Sequence, residues 1–499
     1  MSRVSTNTVS LAYAIEDSLG VLPVTPVWKT VEPNTIGAFG PEIGTVARAP
    51  ISKNRQRRKG TIVDLDSSAE FEGDATMEHL LDFLPSFLFA SFAGAESYAA
   101  DLTNQVTACD TDSFTVDDNG DNFVAGQLIY ARGFSNAANN GIHVVDTGAT
   151  TTDIPVTSTL VAETAPASAR LDGHGVQGAT GDIEIDADGN IISTTLDFTT
   201  LDLTAGQMIW VGGVADVTRF GTAASPSVNR GWARVTLIEA NKLTIDKTST
   251  TFAVDAGTGK TIHLYFGRFL RNVPVDDSDY LEQSLQFEGA YPDLDSVGTP
   301  AYEYSIGNYC NQIDLNLPLT DKATISFGFI GTDTEPPTTT RKTGAATPVA
   351  PYQTAALNTS ADISRLRITE VDESGLTTFF KNVTLTINNN VSPEKVLANL
   401  GAVFMNVGNL EIDTESQVLF TNADVPAAIR DNTTVTMDFS LRNDDGAVFF
   451  DIPACTIGDG SKEFPVNETV LINTPVQAFE DPDLGYSMSA SFFAWTPTS

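Results

Sequence analysis

Basic residues are scarce in this chain: lysine and arginine together number 28 against 64 aspartates and glutamates, a formal net charge of -36. Such a field excludes a surface that grips phosphates, unless the few cations gather on one face. Cysteine is nearly missing. Cys109, Cys310 and Cys455 are odd in number and far apart, which excludes a disulfide framework and a Cys-x-x-Cys knuckle and leaves small buried thiols. Histidine is as rare, and His79, His143, His174 and His263 spell out no metal set by their spacing. There is no Gly-x-Ser-x-Gly, no His-Glu-x-x-His and no P-loop. Carboxylate pairs are too frequent in this composition to signal acid–base chemistry. No catalytic residue, metal or cofactor is expected. Long hydrophobic runs are missing too: residues 80–95, the most apolar stretch, are interrupted by Asp82 and Pro85 and fall short of the roughly 20 residues that cross a bilayer. The polar start, Met1-Ser2-Arg3-Val4, has no signal-peptide pattern, so synthesis in the cytosol without secretion is expected.

What is present favours strands. Hydrophobic residues make up 41% and aromatics 9%, enough for packed cores, and Thr, Asp, Asn, Gly, Val and Ile recur throughout. At 499 residues several domains are expected. The predicted class is all-β with short helices.

Four blocks are distinguishable. In residues 1–100, polar and apolar residues alternate through Thr61-Ile62-Val63-Asp64-Leu65-Asp66 and again through Ser68-Ala69-Glu70-Phe71-Glu72, predicting strands with one wet face. The run from Met77 to Leu84 has helical spacing; Asp74 or Thr76 is placed to cap it and Pro85 to end it. Residues 101–176 and 177–267 read as two small related β-domains. Phe123-Val124-Ala125-Gly126-Gln127-Leu128-Ile129-Tyr130 matches Leu203-Thr204-Ala205-Gly206-Gln207-Met208-Ile209-Trp210. Downstream, Asn140-Gly141-Ile142-His143-Val144-Val145 answers Arg230-Gly231-Trp232-Ala233-Arg234-Val235, which predicts an inserted pair of modules.

Residues 268–499 return to longer strands, at 312–317, 323–329, 382–387, 433–439 and 487–493, with a turn at Asp444-Asp445-Gly446. Residues 332–354, rich in Thr, Pro and Ala, read as a mobile surface loop or, in an assembly, as an arm that orders on contact. A weaker echo links the outer blocks: Gly60 to Asp66, then Phe71 and Asp74-Ala75 before a helix, resembles Gly408 to Asp413, then Phe420 and Asn422-Ala423 before another. Whether the outer blocks are one domain or two copies stays open on sequence.

The segment from Val31-Glu32-Pro33-Asn34-Thr35 through Val46-Ala47-Arg48-Ala49-Pro50-Ile51-Ser52, then Arg55-Gln56-Arg57-Arg58-Lys59-Gly60 and the strand to Asp66, resembles the opening of phage tail tube proteins of long-tailed phages. Thr386-Ile387-Asn388-Asn389-Asn390-Val391, Leu400-Gly401 and the strand after Gly408 are similar to the same family. The resemblance implies a β-sandwich or half-barrel tube domain with a flanking helix, in copies that form stacked rings around a conduit for DNA. It implies a ring of three if the domain is duplicated and of six otherwise. Its implied partners are further copies, a tape measure protein and tail terminator and tip proteins, with DNA passing unbound and no membrane. Its implied place is the virion tail, assembled in the host cytoplasm.

Arg48, Lys53, Arg55, Arg57, Arg58 and Lys59 hold six of the 28 basic residues within a dozen positions, followed by a wholly acidic sequel from Asp64 to Asp82. A solvated charged loop is the bland reading, and the lack of interleaved aromatics counts against a nucleic-acid site. The functional reading is a subunit contact, docking on a neighbour's acidic face. Asp182-Ile183-Glu184-Ile185-Asp186-Ala187-Asp188-Gly189-Asn190 invites a calcium loop, but Thr195 stands where the bidentate Glu belongs, so a strand and turn are expected. An acidic cell-surface adhesin or layer protein is the alternative reading.

Overall fold

Alternation over Arg58–Asp74 makes one strand instead of two. Leu65, Ser67, Ala69 and Phe71 are buried while Asp66 and Glu70 stay exposed, the period-two pattern of a sheet with one wet face. The computed structural model describes residues 4–497 except 52, 54, 100, 101, 103, 295–297, 352, 353, 371–374, 378 and 422. Helix α1 (Met77–Leu88) follows the strand directly, capped by Thr76, whose hydroxyl accepts from the His79 N–H. Pro85 does not end the helix as its sequence predicts. It sits in the last turn, where only one intrahelical bond is lost, and the left-handed Phe89 makes the stop instead.

The strands around α1 form a ladder in which each neighbour is antiparallel. Its order is Trp28–Val31, Ser10–Ile15, Ser284–Tyr291, Ala301–Leu317, Thr324–Gly331, Arg58–Asp74 and Thr35–Arg48. The same order recurs in the rest of the chain: Gly375–Thr377, Ile363–Glu370, Val435–Asn443, Gly446–Ile457, Val476–Ala478, Glu411–Leu419 and Phe380–Asn388. Helix α2 (Asp424–Asp431) follows Glu411–Leu419 as α1 follows Arg58–Asp74. The echo in the sequence therefore names equivalent elements but in the wrong register. In the ladders Ile412 stands where Ala69 does, as the pairing with the neighbouring strands shows. Asn422, part of that echo, lies outside the described residues.

In both units the hairpin before the helix extends into an arm. The first arm is the far part of Thr35–Arg48 and Arg58–Asp74; the second continues from Phe380–Asn388 through Ser392–Lys395, returning by Ala402–Asn406. A single apolar core runs through both units. Phe71, Phe83, Phe87, Phe327 and Phe329 fill the first half, with Phe83 and Phe327 ring centroids 4.7 Å apart, and Leu385, Ile387 and Ile412 continue it. Each such side chain contributes about 2 kcal/mol by leaving water.

The expected loop at 332–354 is corrected. Asp333–Thr338 is a strand on Ala301–Leu317, Arg341 Nε donates to Glu288 at 3.0 Å, and Trp28 Nε1 donates to the Thr343 carbonyl at 3.1 Å. Pro336 and Pro337 are tolerated because this is an edge strand.

Between the units in the chain, the two segments matched in the sequence make like pairings. Gln127–Arg132 pairs with Gly141–Val144 and Met208–Val211 with Gly231–Glu239. Gly126 and Gly206 have φ of 91° and 92°, and their N–H groups donate to Val145 and Val235 at 2.9 and 2.7 Å. The side-chain oxygens of Gln127 and Gln207 each accept from the backbone three residues earlier, at Val124 and Thr204. Both parts share one sheet, joined where Arg170–Gln177 meets His263–Tyr265. The segment does not hang free. Trp210, Trp232 and Tyr265 bury themselves with Phe449 of the second unit and with Phe493, whose strand Ser489–Phe493 pairs with Gly446–Ile457, and Arg234 Nη1 reaches Asp451 at 3.0 Å. Residues 182–190 form the expected turn. The Asp182 carboxylate is taken up by Ser193, Thr194 and Thr195, and Asp186 binds Lys242 at 3.0 Å.

Candidate functional site

Where residues 70–74, 312–317, 324–328, 383–388 and 411–415 pair, the sheet face turned away from α1 is polar. Because the two ladders keep register, its side chains fall into rows that cross both units. One row runs Glu72, Ser326, Asp314, Thr386, Asp413, Gln477. The next is Glu70, Gly328, Gln312, Asn388, Glu411, and a third Asp74, Thr324, Asn316, Thr384, Glu415. None of these positions carries a lysine or arginine. Lys322 stands at the rim, bound to Asp74 at 2.6 Å. Partial burial would raise the Asp74 carboxyl, but Lys322 and Asn34 outweigh it and hold the group below its ordinary value. Asp413 moves the other way, raised by partial burial and by Glu411. A wall of carboxylates, amides and hydroxyls repels phosphates and offers no cation for counterion release.

The rows are continuous because the units are stitched together. Residues 312–317 of the first pair antiparallel with 383–388 of the second, Gln312 opposite Asn388 and Leu317 opposite Val383. Asn389, 1% exposed, locks the joint by donating from its side-chain amide to the Phe87 and Cys310 carbonyls, both at 2.9 Å. At the chain's two ends the equivalent edges have no partner among the described residues. Thr35–Arg48, the counterpart of Phe380–Asn388, pairs only with Arg58–Asp74. Residues 456–461, the counterpart of 312–317, pair on one side only. Bare edges of this kind are templates for pairing with another chain.

The six basic residues singled out in the sequence lie together at the tip of the first arm. Arg48 faces Arg58 across the hairpin, and Lys53, Arg55, Arg57 and Lys59 are exposed around the turn. Among the described residues none of the six makes an ion pair. On the arm's shaft Ile43, Val46 and Ile62 are 41%, 59% and 57% exposed, apolar surface without a cover. Neither the polar rows nor the two open edges was identified from sequence. Alternation marks wet faces, but only register shows which residues share a row.

The phage tail tube protein family matches the chain in two overlapping stretches, residues 6–240 and 218–478. No curated protein matches the chain. Strand-rich architecture, repeated ladders, unpaired edges and family match agree that this is a structural, self-associating virion tail protein. The chain belongs to the phage tail tube protein family.

Proposed function

We propose that three copies close into a ring of six tube units, and that rings stack into the hollow conduit through which DNA leaves the phage. The observation that carries this is the joint between residues 312–317 and 383–388. It is a working example, inside one chain, of the contact that the two open edges would make between chains. Applied twice more, the edge at 35–40 of one copy pairs with 456–461 of the next. The third copy returns to the first, and no edge is left bare. Six half-barrel units then make one closed β-barrel with the helices outside.

Closure of that kind turns the cation-free rows toward the bore, where they would keep a duplex centred and free to slide. The inserted modules at 101–176 and 177–267, packed against Phe449 and Phe493 on the strand face opposite the core, sit outside the tube wall. A tape measure protein within the bore and a terminator at the tube end are the further partners of this arrangement. Electron microscopy of the purified chain tests it: hollow rings or tubes are expected, and compact particles with no central channel would refute it.

A further inference from the structure

The second arm is seated on the first unit. Val391 and Met405 are buried there beside Tyr309 and Ile330, Ala402 donates to the Thr332 carbonyl at 3.3 Å, and Lys395 binds Asp64 at 2.5 Å. The corresponding seat on the second unit is vacant among the described residues. Ile330 lies opposite Tyr309, and Phe479, whose N–H donates to Ala454 at 3.0 Å, occupies the same rung of the second ladder. Ile330 is partly covered by the arm; Phe479 is 40% exposed. One and two residues on, Gly331 and Thr332 are replaced by Glu480 and Asp481.

The arms correspond in the same way. Counting from the matched rungs Asn388 and Gly40, Val391 falls on Ile43 and Met405 on Ile62. Lys395 faces Ala402 across the second hairpin, as Arg48 faces Arg58 across the first. Apolar residues on the free arm thus match apolar residues on the seated one. The vacant seat has gained two carboxylates where the free arm has gained two guanidinium groups.

Resting on the ring reading above, we infer that the first arm of each copy lies across the second unit of the next copy. Ile43 and Ile62 cover Phe479, and Arg48 and Arg58 meet Glu480 and Asp481. The occupant is a second copy of this chain because the chain already contains the homologous contact, and its own second arm is in use. Opposite charges then set the direction in which the ring closes, since the second arm, with Lys395 already paired, adds little pull.

Disulfide trapping with Ile62→Cys and Phe479→Cys tests the contact; the three native thiols are buried. When the two single variants are mixed and oxidised, a cross-linked pair of chains is expected. The double variant should give a ladder that ends at the closed ring. Rings or tubes seen by electron microscopy without any 62–479 cross-link would overturn the arm contact and leave the ring reading standing. A wild-type chain that forms no rings would overturn both. As a check independent of thiols, Arg48→Glu with Arg58→Glu should raise the concentration needed for rings about tenfold or more. Adding Glu480→Lys and Asp481→Lys should restore it. Failure of that rescue in folded protein counts against the pairing.

Discussion

Thr386 donates its hydroxyl to Asp314 at 2.6 Å, in register, across the line where the second unit's sheet joins the first. The bond places two residues 72 positions apart side by side on the wet face. It shows that the polar surface is shared between units and is not a property of either one.

That surface carries the first prediction. Replacing Glu72 and Asp314 with lysine puts two cations in a row that has none. Tubes of the double variant should retain linear duplex about tenfold or more better than wild type at low salt, with retention falling steeply as salt rises. Tubes that form normally and still ignore DNA would place this face elsewhere than the bore.

Asn389 carries the second. Asn389→Ala leaves the Phe87 and Cys310 carbonyls buried without their donor, at a cost of about 2–4 kcal/mol in denaturant unfolding. A loss under about 0.5 kcal/mol would mean that the joint is held by its strand ladder alone.

Matched glycines in the insert give the third. At Gly206, φ is 92° and an added Cβ would lie 2.0 Å from the Tyr486 hydroxyl, so Gly206→Ala should destabilise by about 3 kcal/mol or more. Gly126 has the same backbone but its nearest neighbour is the Gln177 carbonyl at 3.4 Å. Gly126→Ala should cost only the conformational strain, about 1–2 kcal/mol. Equal effects would show that contact with the tube unit contributes nothing.

Acid sensitivity gives the fourth. Burial lowers His174 and His263 from 6.5 to about 4, so the folded chain resists protons that the unfolded chain accepts. Their stabilisation is complete above pH 6.5 and is lost as pH falls toward 4. At pH 4.5 each histidine forfeits roughly 2–3 kcal/mol. Asp438 and Asp451, raised by burial to about 6, act oppositely, stabilising as pH falls from 6 toward 3.8. The site is therefore read by comparison: His174→Phe should lose less stability than wild type between pH 7.5 and 4.5. Tryptophan fluorescence is a suitable signal, because Trp210, Trp232 and Trp495 all lie in that interface. Parallel curves for the two chains would exclude His174.

The sequence shows some of this well. Alternation and helical spacing locate Arg58–Asp74 and α1 because both signals depend on near neighbours. The Ala-Gly-Gln repeat is legible because Gly126 and Gly206 need positive φ and Gln127 and Gln207 close the same turn. The basic cluster is legible as a cluster, and its place at a hairpin tip follows from Arg48 facing Arg58. Other features are decided by long-range pairing. Asp333–Thr338 looks like a loop until Ala301–Leu317 offers it an edge, and Pro85 looks like a stop until packing of Phe83 and Phe87 carries the helix past it. The rows of the wet face need five registers at once, which no local pattern contains.

The most direct test of the central claim is the number of chains in one ring. Native mass measurement on rings, supported by the symmetry seen in electron microscopy, should give three copies of the 53.1 kDa chain around six similar lobes. Six chains per ring, or a stable monomer that no concentration drives into rings, would contradict it.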